Sequence, residues 1–279
     1  MTIEELHDGL YDLLLEVDRI CRKNELRYFV AYGTAIGAVR EKDFIPWDDD
    51  MDMMVLAEDY PRFAEVMRRE LPSYLHLIEP QDFSPYFYDY TIRIIDDRFL
   101  LRKETVSDRA YKNYQNHLGV DVFVAAGCPE GQIGRNLFVI QNKILHGMSI
   151  QYRYRQDYSK YTSFQAIQVS ILRIIGRLYS KTSPERIINT WIKLLHKHDA
   201  NKTGWRYVLN APLTAHYQKT MPDKWFHGQS FGHIRGKEVP LIGCYDDFLK
   251  LIYGDYLTPE KNTDKYFTHL DEEDRTSRE

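Results

Sequence analysis

Four aspartates fall within five positions of "PWDDDMDMMV", residues 46 to 55: Asp48, Asp49, Asp50 and Asp52. Like charges this close repel, and a buried carboxylate without a partner is costly. The apolar "MDMMVL" run rules against a solvated sheet edge. On an extended chain alternate side chains share a face, so Asp50 and Asp52 point together and Met51 and Met53 point the other way. Two carboxylates on one face are stable together when a divalent cation lies between them. Mg²⁺ suits them, with Mn²⁺ as a substitute, because it takes hard oxygen ligands and is often held by one or two carboxylates plus substrate phosphates. Asp48 has the same parity and reads as a supporting acid behind the ligands, with a ligand or a loop cap as the other two roles. Asp49 faces away and reads as a solvated or turn acid, and Trp47 as packing for the loop.

Asp121 is the second acid that needs a reason, because "LGVDVFVAA" is otherwise a core strand. Either it completes the same metal site from a neighbouring strand, or an arginine such as Arg93 neutralises it. Upstream, Gly33-Thr34 closes one strand and opens a helix. Glycine lets a ligand approach the backbone, a helix N-terminus favours phosphate, and Thr34 reads as the N-cap with a hydroxyl to spare. Arg40 and Arg93 are candidates for pairing with phosphate or with a carboxylate.

These residues need elements to carry them. Leu6, Leu10, Leu13, Leu14, Val17 and Cys21 recur at helical spacing, which predicts a helix over 3–23. "RYFVAY", 27–32, predicts a strand, "AIGAVR" a short helix, "DDDMDMMVL", 48–56, a second strand, and the stretch to Leu71 a helix. Further strands are expected at 88–96 and 119–127. Three helices follow between about 134 and 198, and one more near 245–253. The expectation is an α+β fold: a small mixed β-sheet flanked by helices, with an added helical segment. It divides as 1–131, a catalytic core with an N-terminal helix; 132–206, a basic helical segment; and 207–279, a C-terminal segment packing back on the core.

The order strand, Gly-Thr, helix, loop, Asp-x-Asp strand, with a third acid on a later strand, resembles the nucleotidyltransferase superfamily. "YGTAIGAVREKDFIPWDDDMDMMV" is similar, more narrowly, to the LicD family, whose marks are G-[ST]-x-[IL]-G-x-x-R followed by PWDxDxD. "GVDVFVAAGCPEG" resembles that family's later Asp-[IV]-Phe strand, and "YDDFLKLIYGDYLTPE" its C-terminal Tyr-Gly-Asp-Tyr box. The resemblance covers about residues 24–260. It implies a nucleotidyltransferase-like fold and transfer of a phospho-linked group from a CDP-activated donor to a sugar hydroxyl. Phosphocholine from CDP-choline onto teichoic acid or lipopolysaccharide is the best-known case, and a polyol phosphate from CDP-glycerol or CDP-ribitol the alternative within the family. Asp50, Asp52 and Asp121 would then be the catalytic acids and metal ligands. Gly33, Thr34, Arg40, Arg93 and Asp48 would surround the phosphates. A choline-bearing donor calls for an aromatic cage, and Tyr86, Tyr88 and Tyr90 alternate along one extended stretch, although among 21 tyrosines such a stripe is more often packing.

Composition narrows the setting. The three cysteines, Cys21, Cys128 and Cys244, lie far apart with no CxxC pair, which excludes a disulfide framework. No apolar run approaches the roughly 18–20 residues of a membrane span, and the acidic, amphipathic N-terminus is unlike a signal peptide. A cytoplasmic location is expected, with the membrane's inner face as a place of contact. The net charge of −4 conceals an asymmetry, because residues 132–206 hold 13 Lys and Arg against 3 Asp and Glu. A basic segment on an acidic body suggests an anionic partner, such as a membrane or a lipid-linked glycan acceptor, and no nucleic acid is expected. Three readings compete: a DxD glycosyltransferase, a template-independent polymerase using NTPs, and a membrane-surface scaffold in which the aspartates are silent.

Overall fold

A computed structural model describes residues 2–155, 162–181 and 183–259. Helix α1 (Ile3–Lys23) starts at a capping box in which Thr2 and Glu5 satisfy each other's backbone N–H, and it buries the predicted stripe from Leu6 to Cys21. The order continues β1 (Phe29–Val30), α2 (Tyr32–Ile36) running into a π-helical turn at Gly37–Glu41, β2 (Met51–Leu56), α3 (Tyr60–Glu70), β3 (Leu75–Ile78), β4 (Arg93–Leu100), α4 (Val106–Ala110) and β5 (His117–Gly127). Helices α5 (Gln132–Ser149), α6 (Ser163–Ser180) and α7 (Glu185–Leu195) form the added segment. Then come α8 (Ala200–Thr203), β6 (Trp205–Val208), β7 (Thr220–Pro222), the hairpin β8 (Gln229–Ile234) and β9 (Lys237–Ile242), and α9 (Tyr245–Tyr253).

This is an α+β protein built on a mixed sheet. Among the described residues the sheet has seven strands, in the order β1-β2-β5-β4-β3 with β6 and β7 joined through β5. β2 and β5 are parallel and place Asp52 directly beside Asp121; β4 runs antiparallel to β5 and places Arg93 beside Asp121. β5 is long enough to serve three partners. Its first half pairs with β4 and its last three residues with β6. Near their junction the Asn210 side chain stands in for a strand, accepting from Val124 N at 2.9 Å and donating to the Val122 carbonyl at 2.8 Å. That accounts for backbone groups of a buried strand that would otherwise be costly.

Several expectations shift. The strand expected at 27–32 shortens to Phe29–Val30, because Tyr32 already turns into α2 with φ at +46°. The strand expected at 88–96 begins at Arg93 and continues to Leu100. The residues before it are claimed by packing. Tyr88 stacks on Phe83 at 5.7 Å, Tyr86 meets Tyr154 edge-on at 5.1 Å, and Tyr90 stacks on Trp191 at 4.7 Å. The three tyrosines therefore serve two separate aromatic clusters and form no shared face. β6 and β7 were unanticipated: residues beyond 204 extend the main sheet, and position 206 falls inside β6.

Asp18 ties the far hairpin to α1. It is 1% exposed and accepts from Tyr28 Oη at 2.8 Å, while Arg22 and Lys237 reach it at 2.8 and 2.7 Å. Burial alone would raise its carboxyl, but Lys237, Tyr28 and Arg22 outweigh that and hold it below the ordinary value.

Candidate active site

The turn into α2 and the first residues of β2 build the site together. Ala31 N donates to the Asp52 carbonyl at 3.0 Å, and Asp52 N donates to Thr34 Oγ1 at 2.8 Å. Gly33 N–H donates to the Asp52 carboxylate. Three groups from one turn thus grip a single residue. Thr34 is buried, sits inside α2 rather than at its N-cap, and spends its acceptor on the β2 backbone; Ala31 occupies the N-cap. Tyr32, left-handed and fully packed between Phe123, Tyr217 and Phe248, sets the direction of this turn. A bulky residue at positive φ beside a carboxylate cluster is stored backbone strain of the kind that gathers at functional sites.

Asp48, Asp50 and Asp52 line one cavity of about 260 Å³. Gly33, Arg40 and Trp47 share its near wall, and Tyr217, Tyr253, Asp255 and Tyr256 form the far wall. A larger groove of about 560 Å³ lies along α3 and β3, where Asp82 and Asp97 share the lining with Arg68. Burial, followed by the charges of Asp50, Asp121 and Asp48, pushes the Asp52 carboxyl well above the usual carboxylate range. Asp48 is pushed the same way by burial and by Asp50 and Asp49. Asp49 is 8% exposed and has interactions of its own, which corrects its reading as a solvated acid. His7 Nε2 donates to the Asp48 carbonyl at 2.7 Å and stacks on Phe44, so α1 braces the acidic loop.

The two arginines take different places. Arg40 lines the cavity, reaching Glu41 at 2.6 Å and donating to the Tyr256 carbonyl at 2.7 Å. Arg93 is buried away from it, with Nε 2.7 Å from Asp121 Oδ1 and Nη1 donating to Gln115 Oε1 at 3.0 Å. Asp121 stands beside Asp52 in the sheet and Arg93 neutralises it, but it is not among the residues that line the cavity of Asp48, Asp50 and Asp52. Tyr217, Tyr253, Asp255 and Tyr256 were not singled out as site residues. The "YGDY" box marked three of them only by its resemblance, and Tyr217 carried no local signal.

The chemistry of the donor set fits a hard divalent cation. Three clustered carboxylates face one cavity, and two of them are held above their normal range by burial and by the charges of neighbouring aspartates. Among the described residues no three His, Cys, Asp or Glu side chains converge as a ready-made cage. The arrangement suits an ion held by one or two carboxylates with phosphate oxygens completing its shell.

Gly33 tests the closeness of the two halves. A Cβ there would lie 2.6 Å from Asp48 Oδ2, the movable end of a side chain. Gly33→Ala is therefore expected to leave the melting temperature within about 2–4 °C of the parent, a change of roughly 1 kcal/mol, while displacing Asp48 and lowering kcat/KM by about tenfold or more. A variant that retains full activity would show that Asp48 has no role.

A parallel pair that sets the second acid of an Asp-x-Asp beside a third aspartate, entered through a strand-turn-helix, defines a nucleotidyltransferase-like fold. Residues 25–171 match the family model described as LicD/FKTN/FKRP, nucleotidyltransferase domain, and the chain belongs to this family. It is similar to a lipopolysaccharide cholinephosphotransferase LicD of Haemophilus influenzae, with 21% identity over 275 residues, 98% of this chain and 97% of that one. Two uncharacterised proteins, from Rickettsia typhi and Rickettsia prowazekii, share 36% and 34% identity over 59 residues, 21% of this chain and 19% and 22% of theirs.

Proposed function

We propose that the protein is a divalent-cation-dependent transferase that moves phosphocholine from CDP-choline onto a sugar hydroxyl of a cell-surface glycan precursor, such as teichoic acid or lipopolysaccharide. The observation that carries this reading is the meeting of Asp48, Asp50 and Asp52 with Trp47, Tyr217 and Tyr253 in one cavity. Family membership and the name of the Haemophilus relative support it.

Asp50 and Asp52 would hold Mg²⁺ or Mn²⁺, which when bound neutralises charge on the donor's phosphoryl oxygens and on departing CMP. The chain's own groups do the rest. Gly33 and the start of α2 fix the Asp52 carboxylate, and Arg40 offers a cation at the same wall. The acceptor oxygen forms a bond to the phosphorus that bears choline, the bond from that phosphorus to CMP breaks, and the hydroxyl proton passes to Asp121. Arg93 orients Asp121 for that role. Phosphoryl transfer depends mainly on such positioning and charge.

The aromatic wall matches the head group. Tyr217 and Tyr253 lie with hydroxyls 3.1 Å apart, and Asp255 lines the same cavity. Aromatic faces near carboxylates attract a quaternary ammonium, by roughly 0.5–2 kcal/mol per ring. CMP release should therefore be fastest with CDP-choline in a comparison with CDP-glycerol and CDP-ribitol. Tyr253→Ala should raise KM for CDP-choline by about threefold to thirtyfold, with less effect on the polyol donors. Equal use of all three donors would favour a polyol-phosphate transferase, and turnover of UDP-sugars or NTPs in place of CDP donors would overturn the reading.

A further inference from the structure

Helices α5 and α6 pack on each other through glycines. A side chain at Gly147 would run into Leu172, and one at Gly176 into the Met148 carbonyl. Their other faces are apolar and open. On α5, Ile133, Leu137, Ile140 and Ile144 recur at helical spacing and are exposed, Ile133 by 78%. On α6, Phe164, Ile167, Ile171, Ile174 and Leu178 do the same over the length of the helix, with Phe164 at 69% and Leu178 at 77%. Single exposed apolar residues need no explanation, but two adjoining stripes of this length do.

We infer that this face rests on an anionic lipid bilayer, with α5 and α6 lying in the plane of the interface. Three observations select lipid. Neither helix contains an aspartate or glutamate, whereas both carry basic residues, and Lys143 and Arg177 are exposed beside the stripes. The surrounding segment, 132–206, holds 13 Lys and Arg against 3 Asp and Glu, which complements an anionic surface. A second copy would bring the same cations with no acids on these helices to pair them, so self-association through this face sets like charges together. Among the described residues no helix is long and apolar enough to cross a membrane, and an apolar stripe with a basic flank is the pattern of a helix that lies on one. The inference does not depend on which group the carboxylate site transfers.

Co-sedimentation of the full chain with vesicles tests it. The chain should pellet with vesicles of phosphatidylcholine mixed with phosphatidylglycerol, pellet much less with phosphatidylcholine alone, and release as salt rises. The double variant Ile167→Glu/Ile174→Glu, at exposed positions, should lower partitioning by about tenfold or more. Its circular dichroism and melting temperature should match the parent, which separates lost docking from lost folding. Parent and variant pelleting alike, or a parent that stays in solution with both vesicle types, would overturn the proposal. So would a parent that elutes as a dimer and ignores vesicles while the variant elutes as a monomer, because the face would then belong to a second copy.

Discussion

Asp52→Asn is expected to do two opposite things: lower turnover by roughly 10²- to 10³-fold, and raise the melting temperature in metal-free buffer. Both follow from one cause. Asp52 is buried beside Asp50, Asp121 and Asp48, so its carboxyl titrates well above the 3.8 of an ordinary aspartate. A group whose pKa is higher folded than unfolded supports the fold at pH below the unfolded value. That support is lost as pH rises through the folded value. At neutral pH without metal, Asp52 therefore works against the fold. Asparagine keeps the shape and the acceptor for Gly33 N–H but carries no charge. Relief of about 1 kcal/mol would lift the midpoint by roughly 2–4 °C. Adding Mg²⁺ should raise the parent's midpoint and leave that of Asp52→Asn nearly unmoved, by the mass action of a ligand that binds only the folded state. Thermal unfolding with and without Mg²⁺, alongside CMP release, reads all of this. A variant less stable than its parent in chelator, or one that responds to Mg²⁺ as the parent does, would mean that the cluster does not hold a cation. Asp50→Asn should share the loss of turnover.

The near wall of the site was legible in the sequence because it is local. Parity along a strand expected at 48–56 placed Asp48, Asp50 and Asp52 on one face, and the cavity has all three, although β2 begins only at Met51 and carries Asp52 alone. Asp121 was legible as an anomaly, an acid in a core strand; its register beside Asp52 and Arg93 needed the sheet. Thr34 shows the limit of motif reading. A threonine after glycine at a helix start looks like an N-cap, yet Thr34 lies inside α2, buried, with its hydroxyl accepting from Asp52 N. Tyr86, Tyr88 and Tyr90 show the limit of alternation, since a period of two implies a shared face only where the chain is a strand, and β4 starts three residues after Tyr90. The far wall was the least legible. Tyr217, Tyr253 and Tyr256 lie over 150 positions from the aspartates; the "YGDY" box marked the last two only by resemblance, and nothing local distinguishes Tyr217 among 21 tyrosines. The basic excess in 132–206 was visible, but the open apolar stripes required knowing which helix faces the fold leaves uncovered.

Arg206→Ala is expected to cost more stability than any other single change considered, about 3–5 kcal/mol. Arg206 stands on β6, 2% exposed, and its guanidinium serves three groups: Asp223 through Nε, Glu58 at 2.6 Å and the Ala125 carbonyl at 3.1 Å. Burial alone would lower its pKa, but Glu58 and Asp223 outweigh that and raise it, so the cation is firmly held. Truncation would leave Asp223, itself only 4% exposed, with the exposed ring of His227 as its remaining side-chain partner. Glu58 is 42% exposed and can turn to water, so Asp223 carries most of the penalty. The double variant Arg206→Met/Asp223→Leu should recover much of the loss, because a buried pair replaced by apolar groups is often neutral. Denaturant unfolding of the three proteins reads both values. A loss below about 1 kcal/mol for Arg206→Ala would make the pair incidental. The shape of the transition carries a second answer. β5 holds Asp121 in its middle and pairs with β6 at its end. If β6 and β7 are part of one cooperative sheet, Arg206→Ala shifts a single transition to lower denaturant. If the C-terminal residues only lean on a core ending near 127, the variant shows an early separate step while the carboxylate half unfolds at the parent's midpoint.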